Sequence, residues 1–207
     1  QPFSADEDYD NVDWKLGLEM DLGDAAMAYA TIQTGYQPGT YNAFPATPEA
    51  TNLVKSATMT AYTAGIKSRF LDDRLQLNDE VFYYDYADLL VQSFNLNTAL
   101  LTTFNAAQTT IWGNQLDLLF VPTGRDRLNL SVGYLNAEYD DFVVPDGVNI
   151  GIPNRDFGGY PLQNAPEWTV TAGYQHEFQV GPGRLLARLT DGYHVLQELR
   201  ARGLECP

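Results

Sequence analysis

The sequence predicts an all-β fold: an antiparallel up-and-down sheet of about eight meandering strands, of the kind that forms a transmembrane β-barrel or a segment of one. Three observations lead to this prediction. Apolar and polar residues alternate along most of the chain, the links between predicted strands alternate between short and long, and aromatic residues gather near strand ends. With 13 Tyr and 10 Phe among 207 residues, the composition also favours strands over helices.

The alternation has a period of two residues, which is the period of a strand with one apolar and one polar face. In "VDWKLGLEMDL", Trp14, Leu16 and Leu18 fall on one side, while Lys15 and Glu19 fall on the other. "RLNLSVGY", "TIWGNQLDLLF" and "EWTVTAGYQHEF" show the same pattern. In a helix the charged residues of these stretches would spread around the whole circumference, so the pattern excludes helices.

Eight strands are predicted from this alternation and from the turn residues between them. They span about residues 11–22, 25–36, 58–71, 74–91, 107–121, 127–142, 166–180 and 183–192. Short links fall at 23–24, 72–73, 123–126 and 181–183, and long links at 37–57, 92–106 and 143–165. Short turns at one end and long loops at the other are typical of outer-membrane barrels, whose periplasmic turns are short and whose extracellular loops are long.

Aromatic residues support the membrane interpretation only together with the link lengths. Tyr and Trp favour the interface between lipid and water, and Tyr83, Tyr134 and Tyr139 lie where strands approach long loops. The same rings fit the core of a soluble β protein equally well, so the link lengths decide. Asp79 shares the parity of Val81, which turns its carboxylate toward lipid unless it lies near an interface or a bulge shifts the register.

The composition excludes several classes of function. Lys plus Arg number 12 against 27 Asp plus Glu, a formal net charge of −15, whereas nucleic-acid binding requires a basic face. Cys206 is the only cysteine, so neither an internal disulfide nor a Cys/His metal site is expected. The sequence contains no run of about 18 apolar residues, so no transmembrane helix is predicted. The first residues lack a start Met and a signal-peptide pattern, which predicts that a leader is removed or not included.

No catalytic site is predicted. The paired carboxylates at 72–73 and 140–141 fall in a turn and at a strand end, rather than across a sugar-sized gap. His176 and His194 are isolated, and no Ser or Cys stands in a nucleophile-elbow context. The "GPG" at 181–183 lacks the Lys and the helix of a phosphate loop. We therefore expect no enzyme, no cofactor and no metal.

Four stretches, in order along the chain, resemble the barrel region of TonB-dependent outer-membrane receptors of the iron-siderophore type. Their shared features are a Gly-Tyr-x-Pro-Gly-x-x-Asn strand end, a Gly-x-Lys-Ser-x-Phe strand before a tight turn, a Tyr-Asp-Asp-Phe strand end and a Leu-x-Asn-x-Pro-x-Trp strand entry. The resemblance runs from about Val12 to Leu189. The family more often has Glu where Gln115 stands, and its pattern fades after "GRLLARL". The stretches are "WKLGLEMDLGDAAMAYATIQTGYQPGTYN", "YTAGIKSRFLDDRLQLNDEVFYYDYADLLVQ", "NAAQTTIWGNQLDLLFVPTGRDRLNLSVGYLNAEYDDF" and "PLQNAPEWTVTAGYQHEF".

The resemblance implies a partial barrel. Such receptors have about 22 strands around a plugged lumen, so about a third of a barrel is expected here, with the plug domain absent. Residues 1–192 are expected to form this partial barrel, and residues 193–207 an atypical C-terminal tail that is helical or disordered. The chain would thus be a receptor fragment.

The resemblance also implies a function and its partners. The function is active transport across the bacterial outer membrane of a scarce small-molecule ligand, such as a ferric siderophore, energised through TonB. The implied partners are outer-membrane lipid, the absent plug and remaining strands, and the TonB complex. Extracellular loops bind ligand in this family, and the loop residues named as candidates for ligand contact are Tyr41, Asn42, Phe44, Asn154, Arg155 and Tyr160.

Two other functions stay open at this point. One is a small self-contained eight-stranded outer-membrane barrel with a structural or adhesion role. The other is a soluble β-barrel or sandwich that binds a small apolar ligand. Dependence on detergent separates the soluble protein from the two membrane proteins, and the upstream reading frame separates the two membrane proteins from each other.

Overall fold

In the computed structural model, which describes residues 8–42, 53–95, 100–144 and 155–196, the chain is built from β-strands. Eight long strands form one antiparallel sheet, and two short ribbons lie within the connections. Within these ranges, no helix is long and apolar enough to cross a membrane. The strands are β1 Lys15–Asp21, β2 Ala26–Gln37, β3 Thr40–Tyr41, β4 Leu53–Val54, β5 Ala57–Phe70, β6 Leu75–Asn95, β7 Leu100–Thr123, β8 Asp126–Asp141, β9 Val143–Val144, β10 Arg155–Asp156, β11 Pro166–Val180 and β12 Gly183–Leu196.

The predicted antiparallel meander of eight strands is confirmed. The order in the sheet is β1-β2-β5-β6-β7-β8-β11-β12, so each long strand pairs with the long strands that precede and follow it in sequence. The ribbons β3–β4 and β9–β10 belong to the connections before β5 and before β11. The sheet is open, because β1 and β12 form its two edges and do not pair with each other.

Two predicted boundaries are wrong. The segment 92–106 is not a long loop, because β6 continues to Asn95, β7 starts at Leu100, and the two pair from Gln92↔Thr103 outward. The "LLTTF" stretch at 100–104 is apolar, β-branched and aromatic, which suits a strand. β12 also passes the predicted end at 192 and runs to Leu196, still paired with β11. The predicted tail therefore begins with strand, and residues 197–207 lie outside the described residues.

The four short turns lie together at one end of the strands, as predicted, and we call this end of the sheet the short-turn edge. They occupy residues 22–25, 71–74, 124–125 and 181–182. Leu71, Asp72 and Asp73 all have positive φ, and Asp tolerates this conformation because its short side chain can bond locally. Gly23 and Gly181 supply positive φ in two of the other turns. The three longer connections between the described strands therefore lie at the opposite end, which we call the long-loop edge.

The two faces of the sheet differ in chemistry. One face carries the predicted apolar residues, and near the long-loop edge it holds a row of five aromatic rings on five consecutive strands. Tyr62 lies 6.3 Å from Tyr83, Trp112 lies 5.5 Å from Tyr134, and Tyr134 lies 4.9 Å from Trp168, all between ring centroids. We call this row the aromatic ladder. Two of these rings, Tyr83 and Tyr134, were predicted to lie where strands approach long loops, and the strand register brings all five to one level.

The opposite face is polar and is tied together across strands. The Tyr29 hydroxyl donates to Glu80 at 2.5 Å, linking β2 to β6. Lys67 of β5 lies with Nζ 5.2 Å from the centre of the Tyr29 ring, a cation–π contact. The same face carries Asn78 and Asp117, which are direct cross-strand partners. This face therefore suits water or polar protein surface.

Asp79 is the exception on the apolar face, and neither predicted explanation holds. Pairing runs without a bulge through Ile66↔Asp79↔Leu116, so the register is not shifted. On β6, Asp79 lies midway between the first residue, Leu75, and Tyr83 of the aromatic ladder. Its carboxylate instead accepts a 2.8 Å hydrogen bond from Nδ2 of Asn114, which shares the apolar face. Two polar side chains thus satisfy each other within an apolar surface.

At the short-turn edge, Asp126 fastens β8 to β11. Its carboxylate accepts hydrogen bonds from Thr123 Oγ1 and from the Tyr174 hydroxyl, the latter at 2.6 Å, and lies 2.6 Å from His176 Nδ1. The bonds from Thr123, Tyr174 and His176 hold the pKa of Asp126 well below its usual range. His176 also packs edge-on against Phe178, with centroids 4.3 Å apart. The histidine that seemed isolated in the sequence therefore has a structural role.

Close strand contact at Gly113 gives a test of this register. A Cβ at Gly113 of β7 would lie 2.3 Å from the Tyr134 carbonyl oxygen and 2.7 Å from the Phe82 ring. At Gly133 of β8, on the same face of the sheet, the atom nearest to an added Cβ is 3.9 Å away. Gly113→Ala should lower the free energy of unfolding by about 1–3 kcal/mol. Gly133→Ala should leave it unchanged or raise it slightly. Urea unfolding of both variants checks this, and equal effects would contradict the register.

Candidate functional site

The candidate site begins where β6 and β7 rise beyond their neighbours. Pairing of β5 with β6 ends at Thr58↔Ala87, and pairing of β7 with β8 ends at Gln108↔Asp141. Beyond these points β6 and β7 pair only with each other, from Leu89↔Ala106 to Asn95↔Leu100. Asp88 has positive φ and interrupts the pairing where the two strands leave the sheet. We call residues 89–95 and 100–106 the upper hairpin.

The connection between β8 and β11 folds back onto β8. Tyr139 N donates to Tyr160 O at 3.0 Å, Gly159 N donates to Tyr139 O at 2.6 Å, and Phe157 N donates to Phe142 O at 2.7 Å. Leu162 N donates to Ala137 O at 2.9 Å. β11 pairs with β8 only as far as Trp168↔Tyr134, so these bonds occupy the part of the β8 edge that β11 leaves open.

Aromatic packing fixes this returning segment against the upper hairpin. Tyr139 and Phe142 are buried with Ala106 of β7, and their rings lie 5.0 Å apart. Phe142 lies 5.5 Å from Phe157, which lies 5.8 Å from Tyr160. Burial raises the pKa of the Tyr139 phenol. Partly buried residues packed on this cluster are Leu89, Val91, Phe104, Phe157, Tyr160 and Leu162.

The connection between β2 and β5 also reaches the upper hairpin, through the β3–β4 ribbon. Asn42, which follows β3, donates from Nδ2 to Thr103 O at 2.8 Å and accepts from Thr103 N at 2.9 Å. Asn105 accepts from Lys55 N at 2.9 Å and donates to Lys55 O at 3.0 Å and to Asp88 O at 2.9 Å. Two asparagine amides therefore hold this connection to β7.

A cavity of about 590 Å³ lies between these three parts. Its volume falls within the usual range for small-molecule sites. Its wall combines aliphatic side chains with hydroxyl and amide groups, which suits a ligand with both apolar and hydrogen-bonding surface. Within the described ranges, no group of three or more acidic, His or Cys side chains could hold a metal ion. The lining residues are Gln37, Pro38, Thr40, Leu89, Leu90, Val91, Gln92, Thr103, Tyr139, Leu162 and Gln163.

The structure brings only part of the predicted contact set to this region. Tyr41 is half-buried in β3, and Tyr160 is half-buried in the aromatic cluster. Asn42 is 9% exposed and both of its amide atoms are engaged by Thr103. The backbone of Arg155 lies in β10, while Phe44 and Asn154 lie outside the described residues.

The β6 and β7 lining of the cavity was not predicted from the sequence. Residues 89–92 and Thr103 line it, but 92–106 was predicted as a loop. The β-branched and aromatic residues of "LLTTF" at 100–104 were the available signal for a strand. No local signal in the sequence brings Gln37 close to residues 89–92, because that approach depends on the fold of the β2–β5 connection.

Comparison with known proteins identifies the family. Residues 2–201 match the family model described as "TonB dependent receptor-like, beta-barrel". The chain belongs to this family. The match confirms the predicted resemblance and extends beyond the Val12 to Leu189 stretch that carried it. This TonB-dependent receptor family is one of transport receptors rather than enzymes, in agreement with the expectation of no enzyme.

Solved structures of such receptors share the fold. The ferric yersiniabactin uptake receptor FyuA from Yersinia pestis matches with a TM-score of 0.61 and 16% identity, over 85% of this chain and 24% of FyuA. The siderophore receptor PirA from Acinetobacter baumannii matches with a TM-score of 0.55 and 18% identity, over 82% and 27%. The copper transporter OprC matches with a TM-score of 0.60 and 18% identity, over 80% and 24%. The chain spans about a quarter of the length of these proteins.

Phe142 gives a test of the candidate site. Phe142 is 6% exposed, and Phe142→Ala should detach the 156–162 segment at a cost of about 3–5 kcal/mol, because the aromatic cluster loses its central ring. The amides of Phe157, Gly159 and Leu162 should then exchange hydrogen faster, as followed by mass spectrometry. Val143→Ala is the control, because Val143 is 49% exposed. Unchanged exchange in Phe142→Ala would contradict the packing described here.

Proposed function

We propose that this chain forms part of the barrel wall and extracellular loops of a bacterial outer-membrane receptor that takes up a scarce small molecule, such as a ferric siderophore. The observation that carries the proposal is the open cavity between the upper hairpin and the two connections, at the edge opposite the short turns. Membership of the TonB-dependent receptor family makes ligand uptake the function that best fits such a cavity. The same membership favours this function over a structural barrel or a soluble binder.

The two faces support an outer-membrane location. From Leu75 to Tyr83, β6 advances eight residues, which at about 3.3 Å per residue and a tilt of about 40° spans roughly 20 Å across the membrane. The apolar band of such barrels is about 25 Å tall and is flanked by aromatic girdles. The aromatic ladder fits the outer girdle, and Phe70, Phe120 and Tyr174 lie near the short turns, where the inner girdle is expected.

The ligand class rests on the cavity and on the receptors that share the fold. FyuA is a ferric yersiniabactin uptake receptor and PirA a siderophore receptor. A bulky chelate with apolar and hydrogen-bonding groups matches a wall that has aliphatic, hydroxyl and amide groups. OprC is a copper transporter, so copper is the alternative cargo to test. A plug domain, the remaining strands and the TonB complex are the partners proposed for the whole receptor.

Uptake by the complete receptor tests the proposed function. Cells that carry the full reading frame should accumulate radioactive iron from one member of a panel of ferric siderophores. Accumulation should disappear in a matched strain that lacks TonB. Uptake of radioactive copper but not of any iron chelate would reject the siderophore assignment. Absence of the receptor from outer-membrane fractions would reject the function as a whole.

A filled cavity should weaken ligand binding. Gln163 is exposed and lines the cavity, so Gln163→Trp should occupy part of it and raise the Kd for the transported chelate by at least about tenfold. Gln179→Trp is the matched control, because Gln179 is exposed near the short turns at the opposite edge. Equal Kd values for the two purified variants would place the binding site elsewhere.

The Asp79–Asn114 pair tests the lipid-facing assignment. Asn114→Leu should lower the free energy of unfolding in detergent micelles by about 1–3 kcal/mol, because Asp79 loses its hydrogen bond in apolar surroundings. The double variant with Asp79→Leu should return to within about 1 kcal/mol of the parent or exceed it, since no polar group is left unpaired. If the double variant is less stable than Asn114→Leu, the pair does not face lipid.

A further inference from the structure

The β3–β4 ribbon contacts a strand that is not its neighbour in the sheet. The connection that contains the ribbon joins β2 to β5, and the next strand along is β6. The ribbon is nevertheless hydrogen-bonded to β7 at Thr103 and Asn105. The connection therefore contacts a strand two places beyond β5 in the sheet, and this contact is not a consequence of ordinary strand pairing.

Two amide clasps replace strand pairing at this contact. The amide of Asn42 bonds both backbone atoms of Thr103, as a neighbouring strand would. Two residues along β7, the amide of Asn105 bonds both backbone atoms of Lys55. In the first clasp, a side chain of the ribbon connection bonds the backbone of β7. In the second clasp, a side chain of β7 bonds the backbone of the ribbon connection. Asn105 also reaches Asp88 O on β6, which ties all three segments together.

Three small side chains of the described residues are buried in the segments that the clasps join. Val54 and Ala57 are buried, as is Thr102, which is 1% exposed and whose hydroxyl has no hydrogen-bond partner. A valine, an alanine and a threonine contribute a small apolar area compared with an aromatic cluster. The amide bonds add directional contacts between the ribbon connection and β7 to this packing. Gln37, Pro38 and Thr40, which precede Asn42, line the cavity.

We propose that Asn42 and Asn105 are positioning residues that hold the β3–β4 ribbon across the upper hairpin and so set the wall of the cavity. Asn42, a candidate for ligand contact from the sequence, acts through Thr103 rather than on the ligand, because both of its amide atoms are engaged. Only the relevance of the cavity to uptake rests on the proposed function. The clasps themselves are testable without ligand.

A buried thiol next to Thr103 on β7 reports on the clasps. In the full receptor with Cys206→Ser and no other cysteines, Thr102→Cys places a thiol at a position that is 1% exposed. Its rate of labelling by a maleimide measures how often the structure around Thr103 opens. Asn42→Ala and Asn105→Ala each remove at least two hydrogen bonds and should each speed labelling by about tenfold or more. Val54→Cys, 3% exposed, serves as a second reporter on the ribbon itself.

Asn136→Ala is the matched control, because its amide bonds the Glu138 side chain on β8, away from the ribbon. It should label at the rate of the parent. Labelling at the parent rate in both clasp variants, with either reporter, would overturn the proposal. Equal acceleration by Asn136→Ala would also overturn it, as a general loosening. A receptor that transports no chelate but shows faster labelling in the clasp variants would reject the proposed function and keep this inference.

Discussion

Antiparallel pairing of each long strand with its neighbours in sequence, unbroken from the level of Phe120 to the aromatic ladder, is the constraint on which the rest of this structure depends. In lipid, a backbone N–H or C=O group without a partner costs several kcal/mol, so a membrane sheet must pair its strands continuously. Continuous pairing fixes which face each side chain occupies. The aromatic ladder is one result, since Tyr83, Trp112 and Tyr134 reach one level only in this register. The polar face, with the Tyr29–Glu80 bond, is another.

Most of the fold could be predicted from the sequence because the signals are local. Alternation in "VDWKLGLEMDL" and turn residues such as Gly23 mark strands and links without knowledge of distant residues. The failures lie where strands leave the main sheet. The upper hairpin lacks the clear alternation between an apolar and a polar face, because neighbouring connections rather than lipid cover it. Local alternation therefore stops being informative before the strands themselves end.

The candidate site could be predicted only as a region. Tyr41 and Tyr160 come from loops that reach the long-loop end, as aromatic loop residues suggested. Residues 89–92 and Thr103 could not be assigned to a cavity, because its walls come from segments far apart in sequence. Asn42 shows a different difficulty, because the sequence does not reveal whether the amide of a loop asparagine bonds a ligand or, as here, the backbone of Thr103.

The pair formed by Asp79 and Asn114 has a consequence for assembly as well as for stability. A one-residue slip between β6 and β7 would turn alternate side chains to the wrong face, and the membrane itself penalises that error. A two-residue slip preserves the faces and escapes this penalty. If such a slip set Asp79 opposite Leu118, however, it would carry the carboxylate away from Asn114 and leave two lone polar groups in lipid. The pair thus disfavours a face-preserving slip in this direction, which hydrophobic patterning does not detect, whereas a slip that set Asp79 opposite Asn114 itself would keep the two polar groups together.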